Sequence, residues 1–219
     1  MSRDNFVYIF DICGTLYKSN TTFDFLNWLF DNDKKFLAFK KIYTTPIWKL
    51  FNKFLRVFFS IDLTRVLALR FLKGYDKNLL LEKAENFVIA FLNERKNTEV
   101  LDALKKLKAD GAEVFIMSAT IDVVALAIAK SLGVKNYKSS VLEYDKSICA
   151  GKLARDLLGR KDSYLENSMT IAAVYTDDIS DVNILEFAKE KNIILYKKTE
   201  KKWKRIIRKK KWKVNLIKY

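Results

Sequence analysis

Apolar residues follow two different patterns along this chain. Between residues 5 and 11, in NFVYIFD, they run almost without interruption, the signature of a buried strand. From about residue 18 to 95 the texture becomes helical, rich in Phe, Leu and Trp with Lys and Arg interspersed. FDFLNWLFDND, KKFLAFKKIY, PIWKLFNKFLRVFF, DLTRVLALRFLKGY and NLLLEKAENFVIAFLNER are predicted helices. Pro46 stands where a helix can begin, and Gly74 where one can stop. Behind Thr98, the residues Val100, Leu101, Leu104 and Leu107 recur at helical spacing. Then AEVFIMS, MTIAAVY and IILY read as strands, alternating with the helices TIDVVALAIAKSLG, ended by Gly133, and DVNILEFAKEKN. Such alternation predicts an α/β fold, a parallel sheet with helical crossovers. The all-helical stretch after the first strand is then an insertion. The expected division is a core of residues 1–17 and 96–197, a helical cap of 18–95 and a C-terminal extension of 198–219.

Composition narrows the class. Half of the 219 residues are hydrophobic and 14% are aromatic, enough for a real core. No window reaches about 18 uncharged apolar residues, so no membrane span is expected. MSRDNFVYIF lacks the layout of a signal peptide, and two cysteines, Cys13 and Cys149, make no disulfide framework. A reducing cytoplasm is the expected home. The chain has no histidine, so any catalysis must run on Asp, Glu, Lys, Ser, Thr or Cys.

The net charge of +15 is regional. Residues 197–219 carry twelve Lys/Arg against Glu200 alone, and residues 34–56 carry seven with no acid. Each region invites a partner of opposite charge.

In open parallel sheets, ligands sit beyond the carboxyl ends of the strands. Asp11 ends the first predicted strand and Ser118 the second, in FIMSAT. Asp177, Asp178 and Asp181 follow the third, in VYTDDISD, and Lys161 opens a short helix before it, in DLLGRKDSYL. Taken singly, each has a plain structural use: Asp11 as a turn cap, Ser118 as a loop serine, the acids as an N-cap.

Together, in this order, they resemble the four motifs of the haloacid dehalogenase-like hydrolases, over residues 5–196. The similarity is greatest to the subclass with a helical cap after the first motif, as in phosphoserine phosphatases. The resemblance implies a Rossmann-like core and Mg²⁺-dependent hydrolysis of a small phosphorylated substrate through an aspartyl-phosphate. The catalytic positions it implies are Asp11 (the nucleophile), Cys13, Ser118 and Lys161. The implied metal group is Asp11, Cys13, Asp177 and Asp181, with Asp178 ranked below. Ser118 and Lys161 would hold phosphoryl oxygens. Lys152, in AGKL, competes for the lysine role, but GRK at a helix start is the better match to the third motif.

The position two after the nucleophile departs from the pattern. The family usually has a second Asp there, which protonates the leaving group and then activates water. Here it is Cys13. A thiol with a pKa near ~8.5 stays protonated at neutral pH, and neighbouring carboxylates raise it further. Loss of acid–base help costs about 10²- to 10⁴-fold. A slow phosphatase is therefore the leading expectation, and a catalytically weak binding module for a phosphorylated ligand or protein is the alternative.

The charged regions allow further partners. Taken as one helix, the tail aligns Trp203, Ile206, Ile207, Val214 and Ile217, with Trp212 off that stripe. Three uses stay open: packing on the core, reversible docking on an anionic membrane, and, less favoured, nucleic-acid binding, which rests on charge and on Trp203 and Trp212. In the cap, ordinary helix packing is the first expectation. Its apolar and basic character also hints at an amphiphilic or lipid-linked phosphate.

Overall fold

The computed structural model describes residues 6–59, 61–165 and 169–218. The predicted first strand is β1, Phe6–Phe10; Asn5 and Tyr219, at the ends of two predicted segments, lie outside the described residues. Between β1 and β2 (Glu113–Ile121) run α1 (Thr21–Leu29), α2 (Lys34–Tyr43), α3 (Pro46–Phe59), α4 (Leu63–Leu69), α5 (Lys77–Phe87) and α6 (Thr98–Ala109). The chain continues through α7 (Asp122–Leu132), β3 (Asn136–Asp145), β4 (Ile148–Arg155), β5 (Thr170–Thr176), α8 (Val182–Phe187), β6 (Glu190–Leu195), α9 (Glu200–Lys210) and β7 (Asn215–Lys218). The result is an α/β fold around one sheet with strand order β4-β3-β2-β1-β5-β6-β7. Every neighbouring pair is parallel except β3 with β4.

The sheet is covered on both faces, which is why its central strands read as apolar runs. Side chains alternate across a strand. Val7 and Ile9 of β1 accordingly join Phe115, Met117, Ile193 and Trp203 on one face. Phe10, with Val114 and Ile116 of β2, packs on the other face against the helical insertion. Phe10 also stacks on Tyr175 of the neighbouring β5, with centroids 4.3 Å apart.

Three parts of the sheet depart from the sequence reading. The β3–β4 hairpin has a turn at Lys146–Ser147, both at positive φ, and these are residue types that give a weak turn signal. β2 runs on past Ser118 to Ile121, with a register shift between those two residues. The third departure is the C-terminal stretch, which is not one helix. α9 stops at Lys210, Lys211 turns left-handed, and β7 pairs with β6. Trp203 is fully buried, and Ile206, Ile207, Trp212 and Val214 pack beside it. The apolar stripe predicted for the tail therefore faces the core.

In the insertion, α2 and α3 occupy the predicted spans. The stretch after α5 loosens into a π-turn over Val88–Leu92 and a 3₁₀ turn over Asn93–Arg95. α3 is unusual because none of its residues is buried.

Candidate active site

β1 lies between β2 and β5, where the chain's progress across the sheet reverses direction. That topological switch point opens a crevice at the strand ends, and the predicted residues meet there. Asp11 follows β1 and stays in register, its amide donating to the Tyr175 carbonyl at 3.0 Å. The chain then turns through Gly14 at φ +68°. A Cβ on Gly14 would stand 2.3 Å from Asp177 Oδ2, so the site needs glycine both for its backbone and for that close approach. Thr15 ties the two loops together, since its Oγ1 accepts from the Asp177 amide at 3.0 Å. From the other side, the Tyr196 hydroxyl donates to the Gly14 carbonyl at 2.8 Å.

Lys161 is buried at the start of a 3₁₀ turn, Lys161–Tyr164. Its ammonium lies 2.6 Å from Asp11 Oδ1 and 2.7 Å from Asp181 Oδ2. Asp181 also accepts from the Thr176 hydroxyl at 2.6 Å. Lys152 is elsewhere, exposed on β4 and paired with Glu143 at 2.9 Å. Ser118 is buried, and its hydroxyl donates to Thr120 Oγ1 at 3.3 Å. Asp178 is exposed and accepts from the Ser180 amide at 2.8 Å, the capping role weighed for this cluster.

Cys13 sits among hydroxyls. Its sulfur is 2.9 Å from Thr21 Oγ1 and 3.1 Å from Thr120 Oγ1, and those two oxygens are 2.5 Å apart. Burial, and then the charge of Asp11, push the thiol above its ordinary pKa. Cys13 is therefore a neutral thiol at physiological pH.

The electrostatics of the cluster show more acid than base. Burial pushes Asp11 up to about 6 even though Lys161 opposes the shift. Burial, with the charges of Asp11, Asp178 and Asp181, pushes Asp177 up to about 8. Asp181 is raised by burial as well. Burial works against the Lys161 charge, but Asp11 and Asp181 overcome it and hold the ammonium well above the usual lysine range. One lysine thus serves three crowded carboxylates, and Asp181 Oδ1 is buried with no hydrogen-bond partner. A further cation fits this need, and the all-oxygen donors suit Mg²⁺. Among the described residues no three His, Cys, Asp or Glu side chains stand gathered as a ligand set, and Lys161 lies between Asp11 and Asp181.

Sequence reasoning missed one prominent residue. Arg65 of α4 is buried and reaches the core from the insertion. Its Nη1 lies 2.6 Å from Asp156 Oδ1, and its Nη2 donates to the Ala119 carbonyl and to Ser140 Oγ. The signal was its phase: Arg65 shares the inward side of LTRVLAL with Ala68 and Leu69. Asp11, Cys13, Arg65, Ser118, Thr120 and Lys161 all line one cavity of about 170 Å³.

This arrangement places a buried carboxylate at a strand end, under a fixed lysine and hydroxyl donors. A profile of the haloacid dehalogenase-like hydrolases matches residues 8–186. The chain belongs to that family. A search among curated protein sequences finds no match. Among solved structures, a Bordetella pertussis Tohama I protein of unknown function superposes with a TM-score of 0.76 at 16% identity, over 97% of this chain and 99% of that one. A phosphoserine phosphatase carrying a phospho-aspartyl intermediate analogue gives 0.54 at 15% identity, covering 95% and 99%. A cytosolic 5'-nucleotidase IIIB bound to cytidine gives 0.61 at 12% identity, covering 98% and 81%. These likenesses describe the fold, and two of the three neighbours are phosphatases.

Proposed function

We propose that this chain is a Mg²⁺-dependent phosphatase of phosphate monoesters that works through an aspartyl-phosphate on Asp11, slowly because of Cys13. The observation that carries the reading is the buried Asp11, held at 2.6 Å by Lys161 in a cavity that Ser118 also lines. Asp11 and Asp177, with Asp181 behind them, are the residues that would hold Mg²⁺, whose charge offsets repulsion between a carboxylate and a phosphate dianion.

The remaining chemistry belongs to the chain. An oxygen of Asp11 attacks phosphorus, and a new O–P bond forms as the ester O–P bond breaks. Lys161 and Ser118 hold the phosphoryl oxygens by fixed charge and hydroxyl donation. The leaving alkoxide must take a proton, and water must then cleave the aspartyl-phosphate to release phosphate and restore Asp11. A neutral Cys13 thiol is a weak acid for the first task and no base for the second.

The decisive experiment is a screen of phosphate esters with and without Mg²⁺, using Asp11→Asn as the blank. Release of phosphate that requires both Mg²⁺ and Asp11 supports the reading; equal rates for wild type and Asp11→Asn refute it. A second reading, a phosphate-ligand binding module without useful turnover, is favoured by Cys13 alone. It predicts a measurable ligand affinity with no phosphate released.

A further inference from the structure

α3 is an amphipathic helix turned outward. At 3.6 residues per turn, Ile47, Leu50, Phe51, Phe54, Val57 and Phe58 cover an arc of about 120°, and all are exposed, Ile47 at 84% and Leu50 at 71%. The opposite side is where the helix meets the rest of the insertion, through the half-buried Trp48 and Asn52. There the Trp48 indole donates to Thr64 Oγ1 at 2.7 Å, and the Asn52 amide donates to Asp62 Oδ1 at 3.0 Å. These bonds fix the roll of the helix, so its apolar side is held away from the core. An exposed apolar patch of this extent, rimmed by charge, marks an interaction surface.

Charge selects the occupant. Residues 34–56, which include α2 and most of α3, carry seven Lys/Arg and no acid. A second copy packed symmetrically on this face would bring the same positive patch against itself. An anionic bilayer offers an apolar layer for the phenyl rings and phosphates for the lysines, in the arrangement an interfacial helix requires. Beneath α3, Lys49, Asn52, Lys53 and Arg56 line a groove of about 820 Å³. That groove and the catalytic cavity share Asn20, Phe23, Arg56 and Asp62, so the groove adjoins the cavity that holds Asp11, and Val57 joins its edge to the apolar face.

We propose that α3 docks this protein on anionic membrane, with its outward apolar side chains in the interface and the basic residues of α2 and α3 drawn to lipid phosphates. The groove then admits a phosphate monoester carried by an amphiphile; this second clause rests on the phosphatase reading above.

The test uses the full chain and sedimentation with vesicles of phosphatidylcholine alone or mixed with phosphatidylglycerol. Binding needs no turnover, so it is judged separately from the proposed activity. The anionic vesicles should retain the protein at least about tenfold better, as expected when several basic residues meet the surface. Phe54→Glu and, separately, Leu50→Ser should cut that binding about tenfold or more, since each removes most of a large apolar contact. Both variants should melt as wild type does, because the side chains are exposed. Once docking is established, a vesicle-borne phosphomonoester should be hydrolysed faster by wild type than by Phe54→Glu, while soluble esters should not separate the two. Absence of vesicle binding overturns the proposal. So does binding that survives Phe54→Glu but is lost in Arg208→Glu/Lys209→Glu on α9, or a dimer in solution that Phe54→Glu dissociates. Vesicle binding without hydrolysis of any ester leaves the docking surface standing and refutes the phosphatase reading.

Discussion

The indole N–H of Trp203 donates to the backbone carbonyl of Asp177 at 3.1 Å, joining the last helix to the loop that carries the acidic cluster. The basic tail is thus part of the scaffold of the site. Trp203→Phe keeps most of the bulk and loses the bond, and should cost about 1 kcal/mol. Trp203→Ala opens a cavity under α9 and should cost about 3–5 kcal/mol. Removing residues 198–219 strips β7 from the edge of β6 as well, and should leave no cooperative unfolding transition. Denaturant titration of the three variants checks this order; a truncated chain as stable as the whole would refute it.

Arg65 fastens the helical insertion to the core and imprints a pH dependence. Burial alone would raise Asp156, but the Arg65 guanidinium, the Leu158 amide and the Ser140 hydroxyl hold it below its usual value. A depressed carboxylate stabilises the fold above its unfolded pKa of about 3.9, and that stabilisation is lost as pH falls through the folded value. In Arg65→Met the guanidinium is gone and burial remains. The variant should therefore be less stable than wild type at neutral pH, and the gap should close on acidification below about pH 4. Melting temperatures across pH 3–7 would show a constant gap if the pair contributed nothing.

Lys161→Met keeps the length of the side chain and removes its charge, leaving Asp11 and Asp181 buried without their shared cation. Breaking a buried ion pair from one side costs about 3–5 kcal/mol, which is the expected loss at neutral pH. Lys161→Arg retains the charge in a larger head and should lose less. Equal stability of all three proteins in urea would mean the lysine is not the partner the geometry makes it. The Lys152→Met variant should be indistinguishable from wild type in the same assay, because that side chain is exposed and paired with Glu143 on β4.

Much of this was legible in the chain, for physical reasons. A strand buried on both faces must be a continuous apolar run, so β1, β2, β5 and β6 stand out. Asp11 and Asp177, just beyond the ends of β1 and β5, follow directly, as does Ser118, although β2 runs three residues past it. Gly133 announced the end of α7, where it adopts φ +59°. What stayed hidden depends on long-range partners. β7 is only four residues, and its edge pairing with β6 leaves little periodicity to detect. Trp203 belonged to a stripe whose use stayed open, because a wheel shows which residues share a side but not what that side meets. Arg65 and the threonines around Cys13 are joined only by folding, across as many as 107 residues of chain. α3 is the opposite case, a helix whose pattern was plain and whose direction could not be read from it.

Cys13 is where chemistry should be most open to change. Its sulfur closes a ring with the hydroxyls of Thr21 and Thr120, all within about hydrogen-bond distance. Both hydroxyls can turn to donate to a carboxylate, so Cys13→Asp can be accommodated without a buried unpaired acceptor. The variant would bring a group able to protonate a leaving alkoxide and then accept a proton from water. Steady-state turnover of an alkyl phosphate should rise by at least about tenfold, a modest share of the usual acid–base contribution. An aryl phosphate, whose leaving group needs no proton, should gain less. Wild type should show a burst of phenol release followed by slow turnover, because no base activates water against the aspartyl-phosphate; in Cys13→Asp the burst should shrink. If wild type already matches the variant on an alkyl ester and shows no burst, the thiol does not limit the reaction. The proton would then have to come from the substrate or from solvent admitted to the cavity.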